Sequence, residues 1–458
     1  MVVNNLYYGT HPFENKVNAS FSFDEEVVKK AVRRIYEKKF NPLTKIDEGI
    51  FNETWNLFNR ATDEGFGVKE FGDPDFDFYQ QIRYNNAVFS AFRTHRLQND
   101  IASKLLDENG KLKPFEQFSN DVQNITDHNV RHWLRTEYDT AILRAHQAAD
   151  WKQFDKVKDI LPNLRWMPTT SVTPDLVHKR YWEVELTLPQ DHAFWKQHRP
   201  GDRWNCKCSL EATDDPVRGT YVLNDDDQPN PDRGLDNNPG QDARLFSDTH
   251  PYNPPNCAAC TLPGSNGLFN NILGFFNKGK GGGKDCYNCP RPAELVKKAG
   301  VKFPEELRIE ANKQEYNSLN PDVWKKSYFD KDSGGYVAVE HERILHSKKS
   351  KNEKTKFKKE YDQCMVLAKN GQKIKFISDA GGGFDIYLND IAAELKRLSS
   401  HNNIVSEAKD AVRNKKAKLV VFEFEKESKA IYTELLKLKK MGISGRYWYL
   451  GEGRIYDF

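Results

Sequence analysis

The sequence predicts a multidomain protein: a mainly α-helical N-terminal domain with short strands, then an α/β C-terminal domain with a mixed sheet flanked by helices. Three observations carry this. Apolar residues recur at three and four through most of residues 21 to 150, the period of helices packed on one face. A stretch dense in Asp, Asn, Pro and Gly, from Asp214 to Pro263, then interrupts the chain. From Arg291 onward a Lys-rich portion alternates helical periods with short β-rich runs, the pattern of helices on a mixed sheet. The expected divisions are 1–213 (helical), 214–290 (linker), 291–334 (connector) and 335–458 (α/β).

Composition sets the outer limits. The 458 residues suggest roughly three domains at ~150 residues each. Mean hydropathy is -0.79, and 69 basic side chains nearly balance 66 acidic ones, so net charge names no partner. Nine Trp and 12% aromatics argue for packed cores rather than disorder. No run approaches the ~18 apolar residues of a membrane span. The opening MVVNNLYYGTHPFENK lacks the apolar centre of a signal peptide, so a soluble protein made in the cytoplasm is expected.

In the first domain, FDEEVVKKAVRRIYEKKF starts with acids and keeps a helical period. Two further helical runs are FYQQIRYNNAVFSAFRTHRLQNDIASKLL and NVRHWLRTEYDTAILRAHQAADW. From Leu164 the pattern turns to extended runs, RWMPTT and YWEVELTL. The linker, together with a second break at 277–285, is too poor in apolar residues to bury a core.

In the last domain, KNEKTKFKKEYDQCMVLAKNG gives a helix with Phe357, Tyr361, Cys364, Met365 and Ala368 on one face and Gly371 at its end. Then follow the strand KIKFI, a hairpin through Asn389 and Asp390, the helix IVSEAKDAVRNKKA and the buried strand KLVVFEF. The helix ESKAIYTELLKLKKMG and a Gly-Glu-Gly hairpin close the chain.

Six of the seven cysteines lie in close pairs. Cys257/Cys260 and Cys286/Cys289 are two C-x-x-C pairs 25 residues apart, the spacing of a four-thiolate structural Zn site. Such a closed site would help fold a segment short of apolar residues; the alternative is four ordinary linker cysteines. His178, His192, His198, Cys206 and Cys208 also have metal-binding chemistry, but C-x-C is the weaker spacing.

The hairpin raises the sharpest question. With Asn389-Asp390 as a two-residue turn, Leu388 faces Ile391 and Ile386 faces Ala393. Asp385 then lies across from Glu394, with Lys396 one pleat further, although like charges directly opposed destabilise a sheet. Two carboxylates beside a lysine can hold a divalent metal near a scissile phosphate. The same groups can work without metal, by acid–base transfer and charge stabilisation. The plain alternative is a surface ion triad screened by Lys396. The following SSHNN places Ser400 and His401 at the expected start of a helix, where hydroxyl, imidazole and backbone N–H groups bind phosphate. In the acid–base version His401 is the proton carrier. Seven Lys between 348 and 359 form a basic flank suited to nucleic acid, or simply a solvated helix face.

Two resemblances rest on these motifs. Arg135, His178, Asp191, Phe194, Trp195, Pro200, Cys206 and Cys208 fall in an order similar to that of the phage Mu F-like minor head proteins, over about residues 60 to 215. Lys207 stands where that family has Arg, Trp204 where His is common, and no C-x-x-C precedes His178. This resemblance implies a virion component near the portal. Residues 335 to 458 resemble the C-terminal tRNA-nuclease domains of contact-dependent growth-inhibition toxins, through Asn352–Glu353, Leu367 to Gly371, Asp385, Asn389, Glu394 and Lys396. That family implies a metal-independent RNase, an RNA (tRNA) substrate and a cognate immunity protein. The D…E-x-K order is equally that of metal-dependent restriction-like nucleases, including DNases. Together they imply a phage or prophage minor head protein that carries a toxin nuclease in the virion to a target-cell cytoplasm. The alternative is a structural minor capsid protein whose last domain only binds nucleic acid or a partner.

Overall fold

The computed structural model describes residues 21–70, 73, 75–169, 174–223, 230–262, 284–378 and 383–458. The chain forms two compact units, Met1–Lys302 and Phe303–Phe458.

Unit one is mainly helical, as expected. Helices α1 (Glu26–Tyr36), α2 (Glu48–Phe66), α3 (Phe76–Ala102), α4 (Phe115–Asp127) and α5 (Leu134–Val157) bury Ile50, Phe51, Leu57, Phe58, Ile82, Val88, Phe92 and Ala141. One π-helical turn, His128–Trp133, joins α4 to α5. Gly65 lets α2 approach α5 closely: a Cβ there would stand 2.3 Å from the Ile142 carbonyl oxygen. A three-stranded antiparallel sheet follows, with β1 (Asn163–Met167) between β2 (Thr187–Pro189) and β3 (Ser209–Thr213).

Two segments of this unit differ from the sequence expectation. YWEVELTL is extended only at its end; its first residues belong to helix α6 (Leu176–Glu183). Asp175 starts that helix, its side chain accepting from the N–H groups of Val177 and His178. Residues 230–262, expected as a loose surface connection, pack onto the helices. Phe246 stacks on Phe89 with centroids 4.4 Å apart and meets Phe58 edge-on. The buried Arg144 of α5 donates to the carbonyls of Leu245 (2.6 Å), Gly201 (2.6 Å) and Leu235 (3.1 Å). A segment poor in apolar residues is thus ordered by a few aromatic anchors and by Arg144, which satisfies its buried carbonyls. Of the second break, residues 277–283 lie outside the described residues. Helix α7 (Pro290–Lys298) completes the unit.

Among the described residues, unit two holds an eight-stranded mixed sheet whose strands, from one edge to the other, are Tyr456–Asp457, Gly445–Tyr449, Leu419–Phe424, Ile391–Leu398, Ile386–Leu388, Lys373–Phe376, Tyr336–Glu340 and Trp324–Phe329. It begins at Phe303 rather than at 335. Helix α8 (Pro304–Ser318) and strand β4 (Trp324–Phe329) precede β5 (Tyr336–Glu340), and β4 pairs with β5. Beside the ring contacts of Tyr316 with Phe329 and Tyr336, much of this docking is polar. Glu315 on α8 bonds the Tyr336 hydroxyl at 2.8 Å and Lys373 at 2.9 Å, contacts that leave no apolar period in the helix.

Helices α9 (His341–Ser347) and α10 (Lys351–Lys369) lead to β6 (Lys373–Phe376), β7 (Ile386–Leu388) and β8 (Ile391–Leu398), an antiparallel meander. Helix α11 (Ile404–Arg413) returns the chain to β9 (Leu419–Phe424), parallel to β8. Helix α12 (Lys429–Lys440) leads to β10 (Gly445–Tyr449), parallel to β9, and β11 (Tyr456–Asp457) turns back on β10. Cys364, Leu367 and Ala368 of α10 pack with Ile374, Ile386 and Leu395. Ala408 of α11 and Leu435 of α12 pack with Val420 and Phe422. The sheet is therefore buried on both faces.

Candidate active site and candidate metal centre

The hairpin has the register that its alternation predicts. Leu388 pairs with Ile391 and Ile386 with Ala393, and both turn residues, Asn389 (φ 49°) and Asp390 (φ 65°), have the positive φ of a tight hairpin turn. The two acids are not on an open polar face. Asp385 is 3% exposed and Glu394 is 1% exposed. The opposition of like charges is relieved in three ways. An Asp385 carboxylate oxygen (Oδ2) accepts the Leu395 N–H at 3.0 Å. The Glu394 Oε1 accepts from Lys415 and lies 3.2 Å from the Lys396 ammonium, which also reaches Glu407 at 2.9 Å. Finally, burial, and next the Asp385 charge, raise the Glu394 pKa from 4.5 to about 7 against the pull of Lys415 and Lys396. The second oxygen, Glu394 Oε2, is buried without a hydrogen-bond partner among the described residues.

A third carboxylate stands behind this pair. Burial, followed by the Asp385 charge, raises the pKa of Glu360 on α10. The buried Arg343 bonds Glu360 at 2.7 Å while its guanidinium lies over the rings of Phe357 and Phe376. Asp385, Glu394 and Lys396 are thus brought together, with Lys415, Glu407 and Glu360 around them. Sequence reasoning passed over the last three, although Glu360 carries a readable signal. It lies three residues after Phe357 and four before Cys364, on the apolar face of α10, where an acid needs a partner.

Ser400 and His401 stand apart. Both are exposed in the turn before α11, which starts at Ile404 with Asn403 at its cap. The helix begins where a side chain can first be buried: Ile404 is fully enclosed, whereas SSHNN offers nothing apolar. Among the described residues, no hydrogen bond ties Ser400 or His401 to the carboxylates.

Unit one brings together a metal-binding set that the sequence left in the background. The ligand atoms of His178, Cys206 and Cys208 all lie within 4.8 Å of one another, and all three residues are buried. His178 Nδ1 is 3.3 Å from the Cys206 sulfur and 3.7 Å from that of Cys208. Its Nε2 bonds the buried Asp202, whose other oxygen is 3.3 Å from His198 Nδ1. A carboxylate behind the imidazole turns the opposite nitrogen toward the thiols, the usual support of a metal-bound histidine. Burial works to lower the His178 pKa, but the bonds to Asp202 and Cys206 outweigh it and raise it to about 10. A metal bound here would replace that proton. This group can hold a metal ion. Phe194 and Trp195 pack in the same core, against Trp166, whereas Asp191 is exposed and Arg135 pairs with Asp139 along α5.

The four C-x-x-C sulfurs are arranged differently. Cys286 is buried, Cys260 and Cys289 are half-buried, and Cys257 is exposed. The pairs are close enough to affect one another: burial chiefly, with contributions from Cys260 and Cys257, raises the Cys289 thiol. Among the described residues, however, no three of these sulfurs lie within 4.8 Å of one another.

No family model, curated protein or solved structure matches the chain. No described helix is long and apolar enough to cross a membrane.

Proposed function

We propose that unit two is a nuclease whose centre is Asp385, Glu394 and Lys396. The observation that carries this is the buried Glu394, with one oxygen unpartnered among the described residues and a pKa of about 7, opposite Asp385 and beside Lys396. A fold does not keep a desolvated, half-satisfied carboxylate for stability, so its presence points to a site. A divalent cation fits the donor set: Glu394 Oε2 and the Asp385 carboxyl would hold it, and it would supply charge neutralisation and an activated water. Lys396 places positive charge where negative charge grows on the phosphate. A second reading has its own support, because a carboxyl of pKa near 7 suits proton transfer at neutral pH. In that version Glu394, rather than the exposed His401, is the proton carrier.

The substrate in this proposal is RNA, with tRNA the target that the toxin resemblance implies. Unit one would serve as the phage minor head part, seated among portal and head proteins and carrying the nuclease in the virion. His178, Cys206 and Cys208 would hold a structural Zn there. A cognate immunity protein would protect the producing cell. The test is expression of residues 303 to 458 in bacteria, followed by gel analysis of tRNA, other RNA and DNA. Growth arrest with cleaved tRNA is expected, whereas a harmless protein that cuts no nucleic acid leaves only a structural capsid role.

A further inference from the structure

We infer that the tyrosine-lined cavity at the end of β9 and β10 binds an unpaired base of single-stranded nucleic acid, next to the phosphate held at the carboxylate–lysine cluster. This rests on the nuclease reading for the identity of that phosphate. The cavity has a volume of about 250 Å³ and is lined by Tyr432, Tyr447, Tyr449 and Tyr456, with Glu427, Ser428 and Lys429 along one edge. It is smaller than the ~300 Å³ at which sites for drug-sized ligands begin, and suits a single base.

The rings come from three elements: Tyr432 from α12, Tyr447 and Tyr449 from β10, and Tyr456 from β11. Tyr447 and Tyr456 stack with centroids 5.2 Å apart, and Tyr449 stands edge-on to Tyr447 at 5.8 Å. On their inner side the β10 rings meet Phe424 and Phe458 of the core. On the outer side, Tyr432 is 57% exposed. Among the described residues, none of the four hydroxyls has a hydrogen-bond partner. Four such rings around a hollow form a stacking platform rather than a finished core, because every base offers a π-face.

Topology and the net charge of the unit favour the same occupant. Lys429 and Glu427 both border the cavity, the Arg454 guanidinium lies over the Tyr456 ring at 5.1 Å, and Ser428 caps the start of α12. Unit two carries 30 Lys and Arg against 24 Asp and Glu, a net charge of +6, which suits a phosphate backbone. The cavity opens at the carboxyl ends of the parallel strands β9 and β10, where open α/β sheets bind ligands. Lys396, Phe422 and Tyr447 form one row across β8, β9 and β10. At ~4.8 Å per strand, Lys396 and Tyr447 are roughly 10 Å apart along that row. A base in the cavity therefore belongs to a nucleotide close to the one being cut. Duplex bases are already stacked, which selects single strands or loops.

The experiment uses the full chain and a short single-stranded 2′-O-methyl RNA carrying 2-aminopurine, with chelator present, so that binding is read without turnover by either metal or proton-transfer chemistry. Wild-type protein should quench the probe on binding. Tyr432→Ala and Tyr456→Ala should each weaken binding roughly tenfold (~1.4 kcal/mol) and remove the quench, whereas Tyr432→Phe and Tyr456→Phe should keep both. The same sequence as a duplex should bind without quenching. Absence of binding, binding without quenching, or alanine variants that behave as wild type would overturn the base site. So would a nucleoside monophosphate that binds as tightly as the oligonucleotide. The nuclease reading fails separately: a chain that quenches the probe but cuts nothing keeps the base site and loses the catalysis.

Discussion

Replacing Glu394 by Gln should make unit two more stable near neutral pH, and by an amount that depends on pH. The folded Glu394 holds its proton up to about pH 7, while the unfolded carboxyl releases it near 4.5. Between those values the folded state binds the extra proton, so wild-type stability falls as pH rises through this window and levels off above it. Each pH unit is worth ~1.4 kcal/mol. Screening through the partly exposed Lys415 reduces the total to about 2–3 kcal/mol. For a unit of this size that corresponds to roughly 5–10 °C in Tm. Glu394→Gln keeps the shape and cannot titrate. The assay is thermal unfolding of residues 303 to 458 from pH 4.5 to 8, wild type against variant. The gap between the two curves should widen by that amount and close again when a divalent cation is added to wild type at pH 8. Parallel curves across the range would refute the claim that burial and Asp385 hold Glu394 protonated.

Two further outcomes follow from unit one. Cobalt(II) added to the full chain should give thiolate charge-transfer absorption that disappears in Cys206→Ser and Cys208→Ser; if it disappears only with changes at Cys257 or Cys289, the metal sits at the C-x-x-C pairs instead. Limited proteolysis should spare residues 230 to 262, because Arg144 and the Phe89–Phe246 stack hold that segment; early cleavage there would show that those contacts are weak in solution.

How much of the fold and the site is legible in the sequence tracks how local each determinant is. The β7–β8 register follows from turn chemistry and a period of two, both within eight residues, so the opposition of Asp385 and Glu394 can be read from the amino acids alone. That both acids are buried cannot, since burial depends on α10 and α11 closing over the two faces of the sheet. The His178 group joins a helix to a loop 28 to 30 residues later, a convergence no short spacing records. The segment 230–262 misleads because composition counts apolar residues, whereas Arg144 holds it through backbone carbonyls. Helix α8 escapes the sequence pattern for a similar reason, as Glu315 docks it through polar bonds.

Asp385, Glu394 and Lys396 are proposed to cut nucleic acid. The most direct measurement is gel analysis of tRNA and single-stranded DNA incubated with the full chain and Mg²⁺, with and without chelator, beside Asp385→Asn, Glu394→Gln and Lys396→Ala. Wild type should cleave, chelator should abolish the cleavage, and each variant should lose at least ~10² in rate. Cleavage that survives chelator but not Glu394→Gln would move the chemistry to proton transfer at the same residues. Cleavage unchanged in all three variants, or none by wild type under any condition, would contradict the proposal.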